Sequence, residues 1–236
     1  MSLPPEIIDH IIDFVNSSWT LRVCSLVAKS WVYRSQMHLF RNAKLFHNRW
    51  QRVTLVYNTS LARHTRNLRL VQVYPPGITT DIHGPFLVRL QDFRNVENLT
   101  LDGELSAFSE GELNKYFGHF GENLRSLQLN GEGMSPDSFL DLLGLLPNLE
   151  DLFVDECIEG SETNRFPATL PGLSGCLTIS VHREPLYSTL CKLPLRFREI
   201  CLQATPLYYH QDLINACAET LVDFRAMPPC YSRQTH

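Results

Sequence analysis

Between Asp13 and Asp81 the chain has no acidic residue. The same stretch holds Arg22, Lys29, Arg34, Arg41, Lys44, Arg49, Arg52, Arg63, Arg66 and Arg69, with nothing local to neutralise them. All 25 acidic residues lie elsewhere, so a net charge of only −4 conceals a basic N-terminal third and an acidic remainder. Such asymmetry predicts that the first part meets an acidic partner, a nucleic acid or an acidic protein, unless it is simply a solvated basic face. No apolar run reaches the roughly 18 residues of a spanning helix. The opening Met1-Ser2-Leu3-Pro4-Pro5-Glu6 also lacks the basic segment and cleavage site of a secretory signal. A cytoplasmic or nuclear location and no membrane partner are the expectation.

Chemistry is scarce too. Seven cysteines (Cys24, Cys157, Cys176, Cys191, Cys201, Cys217 and Cys230) include no C-x-x-C pair, which predicts buried free thiols and no metal. The nine histidines show no H-x-x-x-H spacing, and neither G-x-x-x-x-G-K-[ST] nor G-x-G-x-x-G occurs. Gly172-Leu173-Ser174-Gly175-Cys176 starts like a nucleophile elbow but ends in cysteine and precedes a strand, so it reads as a turn. Asp9, His10 and Asp13 fall on one helix face and read as solvated. No catalytic residue, cofactor or metal is expected.

What is present is apolar patterning in two styles. From Pro4-Pro5-Glu6, a helix start with proline in its first turn, Ile7, Ile8, Ile11, Ile12 and Val15 recur at helical spacing. Asn16-Ser17-Ser18 ends that helix. Thr20 is placed as N-cap of a second, Leu21 to about Ala28, and a third carries Trp31, Met37, Leu39 and Phe40. Three short helices cannot hide so many apolar side chains, which predicts an interface unless a following domain covers them.

After residue 45 the spacing changes to an apolar residue, two variable, apolar, one variable, apolar. It occurs at Val96-x-x-Leu99-x-Leu101, Leu124-x-x-Leu127-x-Leu129 and Leu149-x-x-Leu152-x-Val154. Weaker copies are Thr65-x-x-Leu68-x-Leu70, Cys176-x-x-Ile179-x-Val181, Phe197-x-x-Ile200-x-Leu202 and Leu221-x-x-Phe224-x-Ala226. The starts lie roughly 21 to 31 residues apart, the period of stacked repeats. Helix signals fall between them: the cap and proline of Ser135-Pro136-Asp137 before Phe139 to Leu146, the stripe Leu113, Tyr116, Phe117 and Phe120, and Leu207 to Ala218. Long irregular loops are expected at Val73 to Asp81 and Glu156 to Thr169. At the end, either Pro228-Pro229-Cys230-Tyr231 folds back as a lid or the array continues.

Two resemblances follow from these residues. Leu3-Pro4-x-Glu6-Ile7-x-x-x-Ile11, Leu21-x-x-Cys24-Ser25-Leu26-Val27-x-Lys29-x-Trp31 and Leu39-Phe40-Arg41 resemble the F-box motif, in the form frequent in fungal proteins. Departures are a short first link, Asn16 to Trp19, and the large Trp19 within it. The later copies resemble leucine-rich repeats. The resemblance implies an α/β chain: a three-helix F-box over 1–45, then an irregular leucine-rich-repeat solenoid over 46–236, with parallel strands on its concave side and helices outside.

It further implies a substrate-recognition subunit of an SCF-type cullin–RING ubiquitin ligase. Such a chain docks the Skp-type adaptor through Leu3, Pro4, Ile7, Ile8, Ile11, Leu21, Leu26, Val27 and Trp31. A client protein, which the sequence does not name, is expected at the outward strand positions Asn98, Thr100, Ser126, Gln128, Asp151, Phe153, Glu199, Cys201, Asp223 and Arg225. The alternatives are a ligase-independent repeat scaffold, or a nucleic-acid-binding module using the basic 14–80 stretch. Scarce lysine and no stacking platform of aromatics argue against nucleic acid.

Overall fold

Alternating apolar residues in a strand give it one face to bury, and a single strand has nothing to bury it against; stacking side by side under a common cover solves this. A computed structural model describes residues 3–46, 62–71, 90–105, 110–155, 158–160, 170–180, 184–203 and 207–227. Among these, eight strands form one all-parallel sheet in strict chain order: β1 Asn42–Phe46, β2 Asn67–Val71, β3 Asn98–Glu104, β4 Ser126–Glu132, β5 Asp151–Asp155, β6 Cys176–Ile179, β7 Glu199–Gln203 and β8 Asp223–Met227. Three helices precede it: α1 Pro5–Asp13, α2 Ser18–Val27 and α3 Lys29–Leu39. Between strands run α4 Glu110–Phe117, α5 Pro136–Gly144, α6 Glu184–Cys191 and α7 Leu207–Ala216. The chain is thus α/β, with seven described helices.

The register aligns the apolar positions in two rows. One runs Ala43, Leu68, Leu99, Leu127, Leu152, Leu177, Ile200 and Phe224. The other runs Leu45, Leu70, Leu101, Leu129, Val154, Ile179, Leu202 and Ala226. Most of both rows joins one continuous core with helical residues such as Phe117, Phe139, Leu143, Leu190 and Leu213. The helices therefore cover one face, and the other face stays open. This is why the strands alternate instead of reading as the apolar runs of a doubly covered parallel sheet.

Between strands the stack is held by a repeated backbone device. At most steps the carbonyl just before a strand accepts two N–H groups from the start of the next: Arg41 from Arg66 and Asn67, Arg66 from Glu97 and Asn98, Glu97 from Arg125 and Ser126, Arg125 from Glu150 and Asp151. At β5–β6 the Glu150 carbonyl takes only the Gly175 N–H, and the Cys176 N–H donates to Asp151 Oδ1 at 2.7 Å. Gly175 and Arg198 repeat it at the far end. A side-chain ladder runs beside it: Asn95 Nδ2 donates to the Arg63 carbonyl at 2.7 Å, Asn123 to Arg94 at 2.9 Å and Asn148 to Glu122 at 3.0 Å. Each of these asparagines immediately precedes the first apolar residue of a strong copy (Val96, Leu124 and Leu149), a signal that the strand spacing alone does not register.

Several expectations shift. The Cys176 copy is framed two residues late: Leu177 and Ile179, not Ile179 and Val181, take the inward places opposite Leu152 and Val154. β1 had no expected counterpart, because Ala43 is too small to mark a repeat; it lies across the expected boundary at 45. α6 was also unforeseen, although Leu186, Tyr187 and Leu190 are helically spaced and buried. The second helix is capped not by Thr20 but by Ser17, whose extended backbone lets its side chain accept the Thr20 N–H at 3.3 Å. Phe40 is the C-cap of α3. Of the described thiols, all free, Cys24 and Cys217 are buried while Cys176, Cys191 and Cys201 are half-buried. Cys157, Cys230, the 228–231 lid and the 73–81 loop lie outside the described residues. Of the 156–169 loop only Ile158–Gly160 is described, and Ile158 bridges Met134.

At the β3–β4 step Gly131 faces Gly103, and a Cβ on Gly131 would stand 1.8 Å from the Gly103 carbonyl oxygen. Gly131→Ala is therefore expected to cost about 2 kcal/mol, measured by urea unfolding. Unfolding coincident with wild type would show that the two strands do not approach as described.

Candidate functional site

α1 and α2 each bury one side and leave an apolar stripe outside. Ile12, Leu21 and Cys24 are buried, beside Ser35 of α3, as a small core separate from that of the sheet. On α1 the residues outside are Leu3, Ile7, Ile11 and Phe14, one helical row in continuation. On α2 they are Trp19, Val23, Leu26 and Val27, with Phe14 at 72%, Trp19 at 71% and Leu26 at 85% exposure. Side chains this large are rarely left bare in clusters without a partner.

The expected adaptor-facing residues divide accordingly. Leu3, Pro4, Ile7, Ile11, Leu26 and Val27 are exposed, and Ile8 and Trp31 are half-buried. Leu21 is a correction: at 5% exposure it is interior, because it shares a helix side with Cys24, toward α3. Phe14, Trp19 and Val23 join the surface although they were not in the expected set. Their signal was legible: Phe14 lies three residues beyond Ile11, Trp19 and Val23 four apart ahead of Val27.

Asp13 is a second correction, since it is not simply solvated. Arg34 donates from Nε and Nη2 to its two oxygens at 2.6 and 2.5 Å, and His38 Nε2 lies 2.8 Å from Oδ1. An ionised carboxylate only accepts, so Nε2 carries the proton. The arrangement fastens α1 to α3. Hydrogen bonds from Arg34, then from His38, hold the Asp13 carboxyl well below the usual carboxylate range. Behind it, Tyr33 meets His64 edge-on at 5.3 Å and Thr65 donates to the Phe40 carbonyl at 3.0 Å, joining the helices to the first strands.

The open face of the sheet carries three polar rows. The register places Asn98, Ser126, Asp151, Glu199 and Asp223 in one, as expected, and adds Asn42 and Asn67 before them and Cys176 between Asp151 and Glu199. Thr100, Gln128, Phe153, Cys201 and Arg225 share the next with Lys44, Arg69 and Thr178. Asp102, Asn130 and Asp155 stand in the third. Asn67 Nδ2 donates to Asn42 Oδ1 at 2.5 Å and Asn98 Nδ2 to Asn67 Oδ1 at 2.6 Å, a ladder of amides across three strands. Arg69 pairs with Asp102, and Arg225 with Asp223 at 2.5 Å. The strong copies begin only at β3, so Asn42, Lys44, Asn67 and Arg69 were not among the expected client positions.

Reactive groups are muted. Burial pushes the Cys191 thiol up to about 11 and raises those of Cys176 and Cys217, so none is an activated thiolate at neutral pH. Among the described residues no group of three or more His, Cys, Asp or Glu side chains is disposed to hold a metal. Gly172–Gly175 leads into β6, with Leu173 at φ 34° and Ser174 exposed. No helix among the described residues is long and apolar enough to cross a membrane. No protein-family model matches the chain, and no curated protein is significantly similar to it.

Because the folded Asp13 carboxyl titrates below the unfolded one, its contribution is complete above about pH 4 and is lost as pH falls through the lowered value. Asp13→Asn is expected to cost about 1 kcal/mol at pH 7, modest because the pair is partly solvated. In thermal melts the gap between wild type and variant should hold from pH 7 to 5 and close toward pH 2. A gap independent of pH would mean that the ion pair contributes nothing.

Proposed function

We propose that the chain is the substrate-recognition subunit of an SCF-type cullin–RING ubiquitin ligase. Its α1–α3 module acts as an F-box that docks the Skp-type adaptor, and the stacked strands act as a leucine-rich-repeat array that holds a client. One observation carries this reading: two consecutive helices each present large apolar side chains to solvent, Ile7 and Ile11 on α1 and Trp19, Val23, Leu26 and Val27 on α2, in the segment where the F-box resemblance lies. A fully buried side chain of this size contributes about 2 kcal/mol, so a partner covering even half of them gains a firm hold.

The adaptor is expected to be acidic, because the α2–α3 surface offers exposed Arg22 and Lys29 and has no carboxylate of its own. At the other end, most of the open face has its backbone paired within the stack, so its side chains can vary with the client, Asp151 excepted, whose Oδ1 accepts the Cys176 N–H at 2.7 Å. The chain's part in the reaction is to hold a client lysine near the charged ubiquitin, which raises rate by proximity. A ligase of this kind works in the cytoplasm or nucleus.

The test is binding of purified full-length chain to a Skp-type adaptor. Ile7→Asp with Leu26→Asp alters two exposed positions, so the fold should survive with an unchanged circular dichroism spectrum while affinity falls at least about thirtyfold. Wild type binding no better than this double variant would refute the receptor reading.

A further inference from the structure

The turns that feed the first three strands gather positive charge on one rim of the sheet. The Arg41 carbonyl accepts the Arg66 and Asn67 N–H groups, and the Phe40 carbonyl accepts the Thr65 hydroxyl at 3.0 Å. One step on, Asn95 Nδ2 donates to the Arg63 carbonyl at 2.7 Å, and Arg66 Nη1 donates to the Asn95 carbonyl at 3.1 Å. These contacts stack segments 40–42, 63–67 and 94–98 where the strands start. Arg41, Arg63, Arg66 and Arg94 come together there. Among the described residues, the carboxylates in or just before these segments are Glu97, which Arg66 takes at 3.2 Å, and the half-buried Asp92.

The four arginines are not equally engaged. Arg66 is committed to Glu97 and the Asn95 carbonyl. Arg63 donates from Nε to His64 Nε2 at 3.4 Å, a long bond that leaves its two terminal nitrogens. Arg41 and Arg94 are exposed, and neither pairs with a carboxylate among the described residues. Burial first, then Arg63 and Arg66, hold the His64 imidazole below its ordinary range, so it accepts from Arg63 as a neutral ring. Along the next steps of the rim the signs balance: Glu122 is exposed, and Arg125 pairs with Glu150 at 3.1 Å. At β7, exposed Arg196 and Arg198 stand beside exposed Glu199. The uncompensated charge is therefore local to β1–β3.

We infer that this rim docks an acidic segment of a partner protein, two or three Asp or Glu residues long, held by Arg41 and Arg94 with Arg63 between them in the stack. A guanidinium presents paired N–H groups that fit the two oxygens of a carboxylate. From β1 to β3 there are two interstrand steps of about 4.8 Å, so the reach is roughly 10 Å, which suits so short a segment. A nucleic acid fits less well. Single strands occupy about 4 to 16 nucleotides on an OB fold and rest their bases on aromatic rings. The aromatic beside this rim, Tyr33, stands edge-on to His64 at 5.3 Å. The rim uses none of the residues assigned to the adaptor, so it stands or falls apart from the ligase reading.

The test is anisotropy of labelled hexaglutamate with the full-length chain at low ionic strength, beside hexaglutamine and hexauridylate RNA. Hexaglutamate should bind at least about fivefold more tightly than hexaglutamine and weaken as salt is added. Arg41→Gln with Arg94→Gln alters two exposed side chains and leaves their backbone contacts in place. It should lower hexaglutamate affinity at least about threefold with the melting temperature unchanged. Arg196→Gln with Arg198→Gln removes the same charge at the far end and should lower it by less than about twofold. Should the first double variant melt early, Arg94→Gln against Arg198→Gln gives the same comparison. Equal loss at both ends would mean that only net charge is sensed, and would overturn the inference. Hexaglutamate held no better than hexaglutamine, or less tightly than hexauridylate, would overturn it as well.

Discussion

Everything in the sheet depends on one constraint: a parallel strand of about five residues can bury its apolar side only if the next strand arrives in register beside it. The doubly accepting carbonyls at Arg41, Arg66, Glu97 and Arg125 impose that register, since each fixes where the following strand begins. The asparagines at 95, 123 and 148 fasten the preceding turn in the same direction. Once these contacts are made, leucine meets leucine along two rows, and the helices have a continuous apolar surface to cover. A slip of one residue would turn a whole strand inside out.

The same constraint separates the two faces of the sheet. Since most of the backbone is satisfied within the stack and the core lies under the helices, the open rows carry few packing duties, Asp151 excepted, which accepts the Cys176 N–H. The rows are accordingly mixed in type, from asparagine and threonine through phenylalanine and cysteine to aspartate. At the N-terminal end the division of labour is different. Three short helices have too little interior to hide their apolar residues, so Ile12, Leu21 and Cys24 go in while Ile7, Phe14, Trp19 and Leu26 stay out. A clasp of Asp13, Arg34 and His38 then does part of the work that a larger core would do.

Both styles of patterning were legible because each is local. The helix at Ser135-Pro136-Asp137 announces itself by cap, proline and acidic first turn, and the three strong copies fall on β3, β4 and β5. The copy at Cys176 was misframed because cysteine, leucine, isoleucine and valine all fit the inward places there, and only pairing with β5 selects among them. Ala43 gave too little apolar signal for β1 to be read, yet the strand exists because Leu68 and Leu70 need a neighbour. Leu21 belongs to the same motif as Leu26, and spacing by itself does not reveal which of the two α3 covers.

Taken alone, the sequence determined the class of elements, their approximate order, the concentration of basic residues before residue 81 and the excess of apolar side chains near the start, all properties of near neighbours in the chain. Tertiary structure decided which apolar residues remain outside, that Asp13 is engaged and not solvated, and that Asn42, Asn67 and Asn98 form one ladder beside Lys44 and Arg69. Those outcomes join residues about 20 to 30 positions apart, and the packing of α1 and α2 on α3 and the stacking of strands in the sheet are what bring them within bonding distance.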